Sequence, residues 1–192
     1  MQKDKEISVL KEKNITKAIE YVESKKDLPK YLDKEIINNV LRNIENTRDR
    51  VFISFLWMTG CRITEVLNVK KKDINFEEQI ITISWLKNRK LKTRRIPLYN
   101  KLAIILKIYI SNMKLNDKLF SFTRNRGYNI TMKYFNTSPH TFRHSFAVNF
   151  LRSGGKIQDL KKLLGHRHIN TTMIYSELVP TDLIETMNNV DF

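Results

Sequence analysis

The segment HTFRHSFAVN, which begins at His140, places two imidazoles and a guanidinium close together at the start of a predicted helix. Ser138 and Pro139 precede it, a pair typical of a helix N-cap and first helical position. We therefore expect His140 and Arg143 in the first helical turn, where free backbone N–H groups and the helix dipole favour an anion. At about 100° per residue, His144 shares their face. The segment is typical of a site that holds a negatively charged group.

The composition indicates which anions are plausible. The 192 residues include 35 lysines and arginines against 20 aspartates and glutamates, which gives a net charge of +15 at pH 7. A balance this basic predicts a nucleic-acid partner first and an anionic membrane surface second. Hydrophobic residues make up 41% of the chain, which excludes a disordered basic tail and predicts one packed domain at this length.

The chain has the sequence features of a cytoplasmic protein. Its single cysteine, Cys61, excludes an intramolecular disulfide framework and agrees with a reducing compartment. The longest apolar stretch, residues 51–58, is far too short to span a bilayer, and the first residues lack the apolar core of a signal peptide. We therefore predict a cytoplasmic protein without a membrane partner.

Helical patterns cover most of the chain. A helix that carries RVFISFLWM is expected to end at Gly60. The stretches EEQIITISW and TRRIPL alternate with β-branched residues, so they predict a β-hairpin whose cationic turn is LKNRKLK. The predicted fold class is mainly α with a small antiparallel β-sheet. The first helix presents an apolar face of Ile36, Ile37, Val40, Leu41 and Ile44, and further helical segments are expected at residues 101–113, 129–136, 139–152, 157–164 and 170–175.

Two further motifs extend the charged pattern in both directions along the chain. The motif TGCRITEVL sets Arg62 just past a helix end, with Glu65 three residues later, where a carboxylate can orient the guanidinium. The motif KLLGHRHINTTMIY ends a helix at Gly165, exposes His166 and begins a short helix that presents Tyr175. Together with HTFRH and a lysine in the hairpin turn, these motifs resemble the catalytic domain of the tyrosine recombinases, the family of phage integrases and Xer-like recombinases.

This resemblance, which extends over about residues 28–185, implies cleavage and rejoining of DNA strands without a metal or another cofactor. Tyr175 would attack a phosphodiester and form a 3′-phosphotyrosyl intermediate, which conserves the bond energy for religation. Arg62 and Arg143 would bind the non-bridging oxygens, because the planar, permanently charged guanidinium fits phosphate. The implied partners are double-stranded DNA and further copies of the chain, as a dimer or tetramer on DNA.

The proton donor for the leaving 5′ oxygen is expected in the hairpin turn. Counting forward from the strand QIITISW gives Lys87, whereas counting back from RRIPL favours Arg89 or Lys90. Loops absorb length changes at their tips, so the incoming strand is the better reference. We predict Lys87 as the catalytic lysine and Lys90 as the alternative.

Two imidazoles and a carboxylate complete the site that the resemblance implies. His140 and His166 would assist proton movement and phosphate binding. Glu65 would orient Arg62, although a carboxylate on the surface of a helix explains its spacing equally well. His144 would be a structural neighbour of the catalytic groups.

Metal catalysis is not predicted, but two other functions stay open. His140 and His144 have the i, i+4 spacing of a zinc-binding helix, yet Thr141 occupies the position where that motif carries its glutamate, and Arg143 would repel the ion. The first alternative function is a DNA-binding protein that keeps the fold without catalysis. The second is a type IB topoisomerase-like enzyme, which would relax supercoils by the same tyrosine chemistry.

The resemblance also sets the expected domain organisation. Recombinases of this family usually carry a helical core-binding domain before the catalytic one, whereas residues 1–28 are a short, charged, weakly patterned segment. We predict the catalytic domain over residues 29–192. Its tail, residues 179–192, is predicted to form a helix with a small apolar stripe that docks either on its own domain or on a neighbouring copy.

Overall fold

The computed structural model describes residues 29–87 and 90–178. Within these ranges helices predominate and three short strands form one antiparallel sheet, which confirms the predicted fold class. No helix in these ranges is long and apolar enough to cross a membrane. The predicted N-terminal segment and tail helix lie outside the described residues. In chain order the elements are α1 (Lys34–Arg42), α2 (Thr47–Thr59), α3 (Ile63–Val66), a 3-10 turn (Lys71–Asp73), β1 (Ile74–Asn75), β2 (Ile80–Lys87), β3 (Lys90–Pro97), α4 (Asn100–Tyr109), α5 (Arg124–Phe135), α6 (Pro139–Arg152), α7 (Ile157–Leu164), α8 (Asn170–Met173) and a second 3-10 turn (Ser176–Leu178).

Helix α2 forms the centre of the core. Every side chain from Val51 to Trp57 is buried, so this stretch has no solvent-facing side and other elements must cover it all round. Helices α4 and α6 both pack against it. Gly60 ends α2 in the left-handed conformation, as predicted, with its N–H donating to the carbonyl of Leu56. The helix therefore stops at Gly60, and Arg62 follows after the buried Cys61.

The sheet has the order β1–β2–β3, and all neighbouring strands are antiparallel. The ladder between β2 and β3 continues without a break up to Lys87, which lies opposite Lys90. The predicted boundaries of the cationic turn, residues 86–92, are therefore wrong. Its first two residues belong to β2 and its last three belong to β3. The cross-strand pair of Leu86 and Leu91 prolongs the ladder beyond the buried part of the sheet, although both leucines are exposed. Strand β1 has only two residues, too few for a sequence pattern.

The helix boundaries follow local capping signals. Helices α6 and α7 have the predicted bounds. Helix α5 begins earlier than predicted, at Arg124, because the side chain of Thr123 accepts a hydrogen bond from the backbone N–H of Arg126. Ser138 occupies the N-cap position of α6 as predicted, but its side chain makes no capping hydrogen bond. The start of α6 therefore depends on Pro139, whose fixed φ angle suits the first helical position.

We expect Gly60→Ala to lower the free energy of unfolding by about 2–4 kcal/mol, because left-handed strain and overpacking add together. Gly60 has a φ of +62°, and a Cβ atom there would lie 2.5 Å from Cδ1 of Phe146. Gly154→Ala is the matched control, since Gly154 has a φ of +83° but open space around it. Urea unfolding of both variants separates the two causes. Equal losses would mean that the contact with Phe146 contributes nothing.

Candidate active site

Arg62 lies at the junction between the core helix α2 and the short helix α3. Its backbone N–H donates to Oε2 of Glu65 at 2.9 Å, and its Nη1 donates to Oε1 at 3.3 Å. Glu65 is only 3% exposed, so the surface carboxylate considered from the sequence is the wrong explanation. The Arg62 side chain keeps 42% of its surface exposed. The guanidinium is therefore held from the protein side and open to an anion from the solvent side.

Arg143 is the fifth residue of α6, so it lies beyond the first turn in which the sequence analysis placed it. It is only 3% exposed, and its Nη1 and Nη2 donate to the carbonyls of Gly60 and Leu164, both at 2.7 Å. These carbonyls end α2 and α7, where the partial negative charge of a helix concentrates. The pKa of Arg143 is lowered to about 10, mainly by burial and to a smaller extent by repulsion from Arg62. Arg143 thus stays charged at neutral pH, and it has further N–H donors besides the two that bind these carbonyls.

His166 directly follows the end of α7, which Gly165 closes in the left-handed conformation. Its Nδ1 lies 2.9 Å from Oγ1 of Thr172, which is fully buried. Burial, followed by the charge of Arg143, lowers the pKa of His166 to about 4. The imidazole is therefore neutral at pH 7 and able to accept a proton.

Tyr175 follows helix α8 and is only 2% exposed. Its Oη lies 2.9 Å from Nδ1 of His144. Burial raises the pKa of Tyr175, while the charges of Arg143 and Arg62 act in the opposite direction. The free protein thus holds a neutral, covered hydroxyl group. The ring belongs to a small apolar cluster that also contains Ala147, Val148, Leu160 and Leu164.

The predicted groups share one electrostatic environment. The positive charges of Arg62 and Arg143 act on the pKa values of His140, His166 and Tyr175. For His140, partial burial has the largest effect and the two arginines lower the pKa further. The structure therefore brings these five predicted side chains together, although they come from three separate parts of the sequence.

The hairpin lysines are located by the strand ladder. Lys87 ends β2 directly opposite Lys90, which begins β3. Lys90 is exposed. The side chain of Lys87 and the two residues of the turn, 88–89, lie outside the described part of the chain. The choice between Lys87 and Lys90 therefore stays a prediction.

Residues 30–181 match the sequence profile of the phage integrase family. The chain belongs to the phage integrase family. The matched range is close to the one over which the motifs resemble tyrosine recombinases. Membership of the family thus follows from the same stretch of sequence that supplies the site.

Curated integrase-family relatives are longer than this chain. The tyrosine recombinase XerA of Saccharolobus solfataricus is 36% identical over 160 residues, which are 80% of this chain and 54% of XerA. XerA of Pyrococcus horikoshii is 29% identical over 177 residues, which are 84% of this chain and 61% of that protein. The chain therefore spans somewhat more than half the length of the curated relatives it matches.

Solved structures of the family have the same fold. The crystal structure of XerA recombinase matches with a TM-score of 0.71 at 25% identity, over 87% of this chain and 66% of XerA. The catalytic domain of bacteriophage HP1 integrase matches with a TM-score of 0.66 at 24% identity, over 85% of this chain and 95% of that domain. The predicted tyrosine recombinase catalytic-domain fold is confirmed.

The candidate site contains a residue that the sequence analysis missed, Arg94. Its Nη1 and Nη2 donate to Oε1 and Oε2 of Glu65 at 2.8 and 2.9 Å, and its Nε donates to the carbonyl of Leu163 at 3.0 Å. A signal was present, since the period-2 pattern places Arg94 on the same face as Ile96 and Leu98, which are both buried. A charged residue on the inward face of a strand requires a buried partner.

His144, predicted as a structural neighbour of the catalytic groups, lies with its Nδ1 2.9 Å from the hydroxyl of Tyr175. The rings of His140 and His144, which have zinc-helix spacing, lie with their centroids 6.0 Å apart. Among residues 29–87 and 90–178, no three His, Cys, Asp or Glu side chains form a group that could hold a metal ion. No sequence signal connected His144 to Tyr175, because α7, α8 and the loops around them separate the two residues.

We expect the melting temperature to fall as the pH is lowered from about 7 to 5, because unfolded histidine titrates near 6.5. The pKa values of His144 and His166 are lowered to about 4 in the folded protein, in each case mainly by burial. At a pH between about 4 and 6.5 the unfolded state binds more protons than the folded state, so a lower pH favours unfolding. His166→Gln should weaken the pH dependence, whereas the exposed His168 serves as control through His168→Gln. An equal effect of both substitutions would contradict this explanation.

Proposed function

We propose that this chain cleaves and rejoins DNA strands at specific sites, with Tyr175 as the nucleophile. The observation that carries the proposal is the shared environment of the phenol, the two guanidinium groups of Arg62 and Arg143, and the imidazoles of His140 and His166. Phosphoryl transfer needs a nucleophile, positive charge around the non-bridging oxygens and groups that move protons. The site offers a candidate for each requirement.

In the proposed reaction, Oη of Tyr175 attacks the phosphorus atom, and the bond from phosphorus to the 5′ oxygen breaks. Arg62 and Arg143 bind the non-bridging oxygens, whose negative charge they balance in the transition state. The phenolic proton passes to a neutral imidazole, for which His166 is our choice. The 5′ oxygen takes a proton from Lys87, with Lys90 as the alternative donor. A 5′ hydroxyl of the same or another strand reverses these steps and releases the tyrosine.

The free protein favours the resting form of the nucleophile. Tyr175 is covered and neutral, and His144 contacts its hydroxyl at 2.9 Å. We propose that the segment from α8 to Tyr175 shifts when DNA binds, so that the hydroxyl leaves His144 and meets the phosphate. The short helix α8 has only four residues, and so little structure opposes this movement.

DNA is the proposed substrate because the site is built for a phosphodiester on a protein whose net charge is +15. A family relative, the XerH recombinase, has been solved bound to its difH substrate, with a TM-score of 0.64 at 24% identity over 86% of this chain and 54% of XerH. Exchange between two sites requires more than one active site, so we propose that copies of the chain associate as a dimer or tetramer on DNA. The lone Cys61 agrees with action in the reducing cytoplasm.

The proposal is tested with a pool of nicked DNA duplexes of random sequence, in which the short fragment beyond the nick diffuses away after cleavage. A covalent protein–DNA adduct on a denaturing gel is the expected result. EDTA should leave the yield unchanged, because the guanidinium pair supplies the positive charge in the proposed reaction. DNA binding without an adduct would favour the non-catalytic DNA-binding alternative. Relaxation of supercoiled plasmid without strand exchange would favour the topoisomerase-like alternative.

A further inference from the structure

We propose that Arg94 is a positioning residue, which holds Glu65 so that Arg62 faces the phosphate with its full positive charge. This inference rests on the proposed function. Arg94 lies on β3, and both of its terminal nitrogens donate to the carboxylate of Glu65, at 2.8 and 2.9 Å. A two-point contact of this kind fixes both the position and the orientation of the carboxylate.

Arg94 is itself fixed from three further sides. Its Nε donates to the carbonyl of Leu163 in α7 at 3.0 Å, and its Nη2 lies 3.6 Å from Sγ of Cys61. Its Cζ lies 5.3 Å from the ring centroid of Trp85 on the neighbouring strand. Gly165 allows the close approach, since a Cβ atom there would lie 3.2 Å from Nη1. The guanidinium therefore links the sheet to the end of α7 and has little freedom to move.

Charge balance explains why a second arginine is needed here. Glu65 is buried, and burial alone would raise its pKa, but the hydrogen bonds and charge of Arg94, followed by those of Arg62, lower the pKa overall. The carboxylate is therefore ionised and would neutralise Arg62 if Arg62 were its only partner. Because Arg94 balances the carboxylate, the three groups together keep one positive charge, and it lies on the partly exposed Arg62.

The contact lengths agree with this division of roles. The carboxylate of Glu65 accepts two short hydrogen bonds from Arg94 and only one longer side-chain contact, of 3.3 Å, from Arg62. Glu65 therefore orients the guanidinium of Arg62 without neutralising its positive charge. Arg94 touches no substrate in the proposed reaction, so its effect on the rate is expected to pass through Arg62.

The test compares Arg94→Lys with Arg95→Lys. Lysine keeps the charge but cannot make the two-point contact. Arg95 is the matched control, because it lies next to Arg94 on β3 but is exposed and pairs with the exposed Glu78. The DNA is the duplex recovered from trapped wild-type protein, and the readouts are the cleavage rate at saturating protein and the dissociation constant. We expect Arg94→Lys to slow cleavage by about 100-fold, as a misplaced group does, with less than about a twofold change in DNA affinity. Arg95→Lys should change neither.

A double-mutant cycle distinguishes positioning from a general structural effect. In an Arg62→Ala background, Arg94→Lys should slow cleavage by less than about threefold, because the residue through which it acts is gone. A full 100-fold loss in that background, or equal effects of the two lysine variants, would overturn the inference.

A readout independent of activity separates this inference from the proposed function. The ¹⁵Nε resonance of Arg62 in the free protein should shift in Arg94→Lys and stay in place in Arg95→Lys. An unmoved resonance in both variants would overturn the positioning role. If the wild type forms no adduct but the resonance shifts as expected, the proposed function fails and the positioning of Arg62 stands.

Discussion

Tyr175→Phe should form no detectable covalent adduct while binding DNA as tightly as the wild type. The substitution removes only the hydroxyl oxygen, which is the atom that would bond to phosphorus. The ring still fills the apolar cluster beside α6 and α7, so the fold should persist. The nicked-duplex trap measures the adduct, and a filter or gel-shift assay measures binding.

The matched control is Tyr109→Phe. The hydroxyl of Tyr109 also makes a hydrogen bond, to the carbonyl of Leu119 at 3.0 Å, and Tyr109 is partly buried. Its removal should leave the adduct yield unchanged. An adduct that persists in Tyr175→Phe would assign the nucleophile to another side chain.

Arg62→Ala and Arg143→Ala should each slow cleavage by about 10³-fold or more, because each removes a cation that balances charge in the transition state. Each tenfold loss corresponds to about 1.4 kcal/mol of transition-state stabilisation. DNA binding should weaken far less, since many other cations contribute to it. Arg126→Ala, which removes an exposed cation from α5, is the control for loss of charge alone.

The two variants should differ in stability. Arg143→Ala leaves the carbonyls of Gly60 and Leu164 without their buried donor, at a cost of about 1–3 kcal/mol for each unpaired group. Arg62→Ala alters a partly exposed side chain, and Glu65 keeps its contacts with Arg94. We therefore expect a lowered melting temperature for Arg143→Ala and a nearly unchanged one for Arg62→Ala. If each substitution instead lowered the cleavage rate and the DNA affinity by the same factor, both arginines would be ordinary phosphate contacts.

The sequence by itself determined where several helices begin or end. Pro139 starts α6, and Gly60 and Gly165 end α2 and α7, because each residue favours a particular backbone conformation without help from distant parts of the chain. The alternation in β2 and β3 likewise identified a hairpin. The order and type of the charged motifs identified the family and predicted five side chains that the structure brings together.

Tertiary structure decided which partners these side chains contact and how deeply they are buried. Arg143 was predicted in the first turn of a helix, but it lies beyond that turn, is buried and donates to the carbonyl of Gly60, 83 positions away. His144 contacts Tyr175 across 31 positions. Such partners depend on how helices pack against each other, which local patterns do not encode.

Arg94 illustrates the same division. Its two-residue spacing from Ile96, and of Ile96 from Leu98, indicated an inward-facing charge, but the sequence could not say which of several carboxylates would contact it. The sheet and α3 had to pack together before Glu65, 29 positions away, could become the partner. Burial then made that contact obligatory, because an ionised side chain removed from water needs an opposite charge at hydrogen-bonding distance. The residue types are thus a property of the sequence, whereas the pairing that leaves a positive charge on Arg62 is a property of the packed protein.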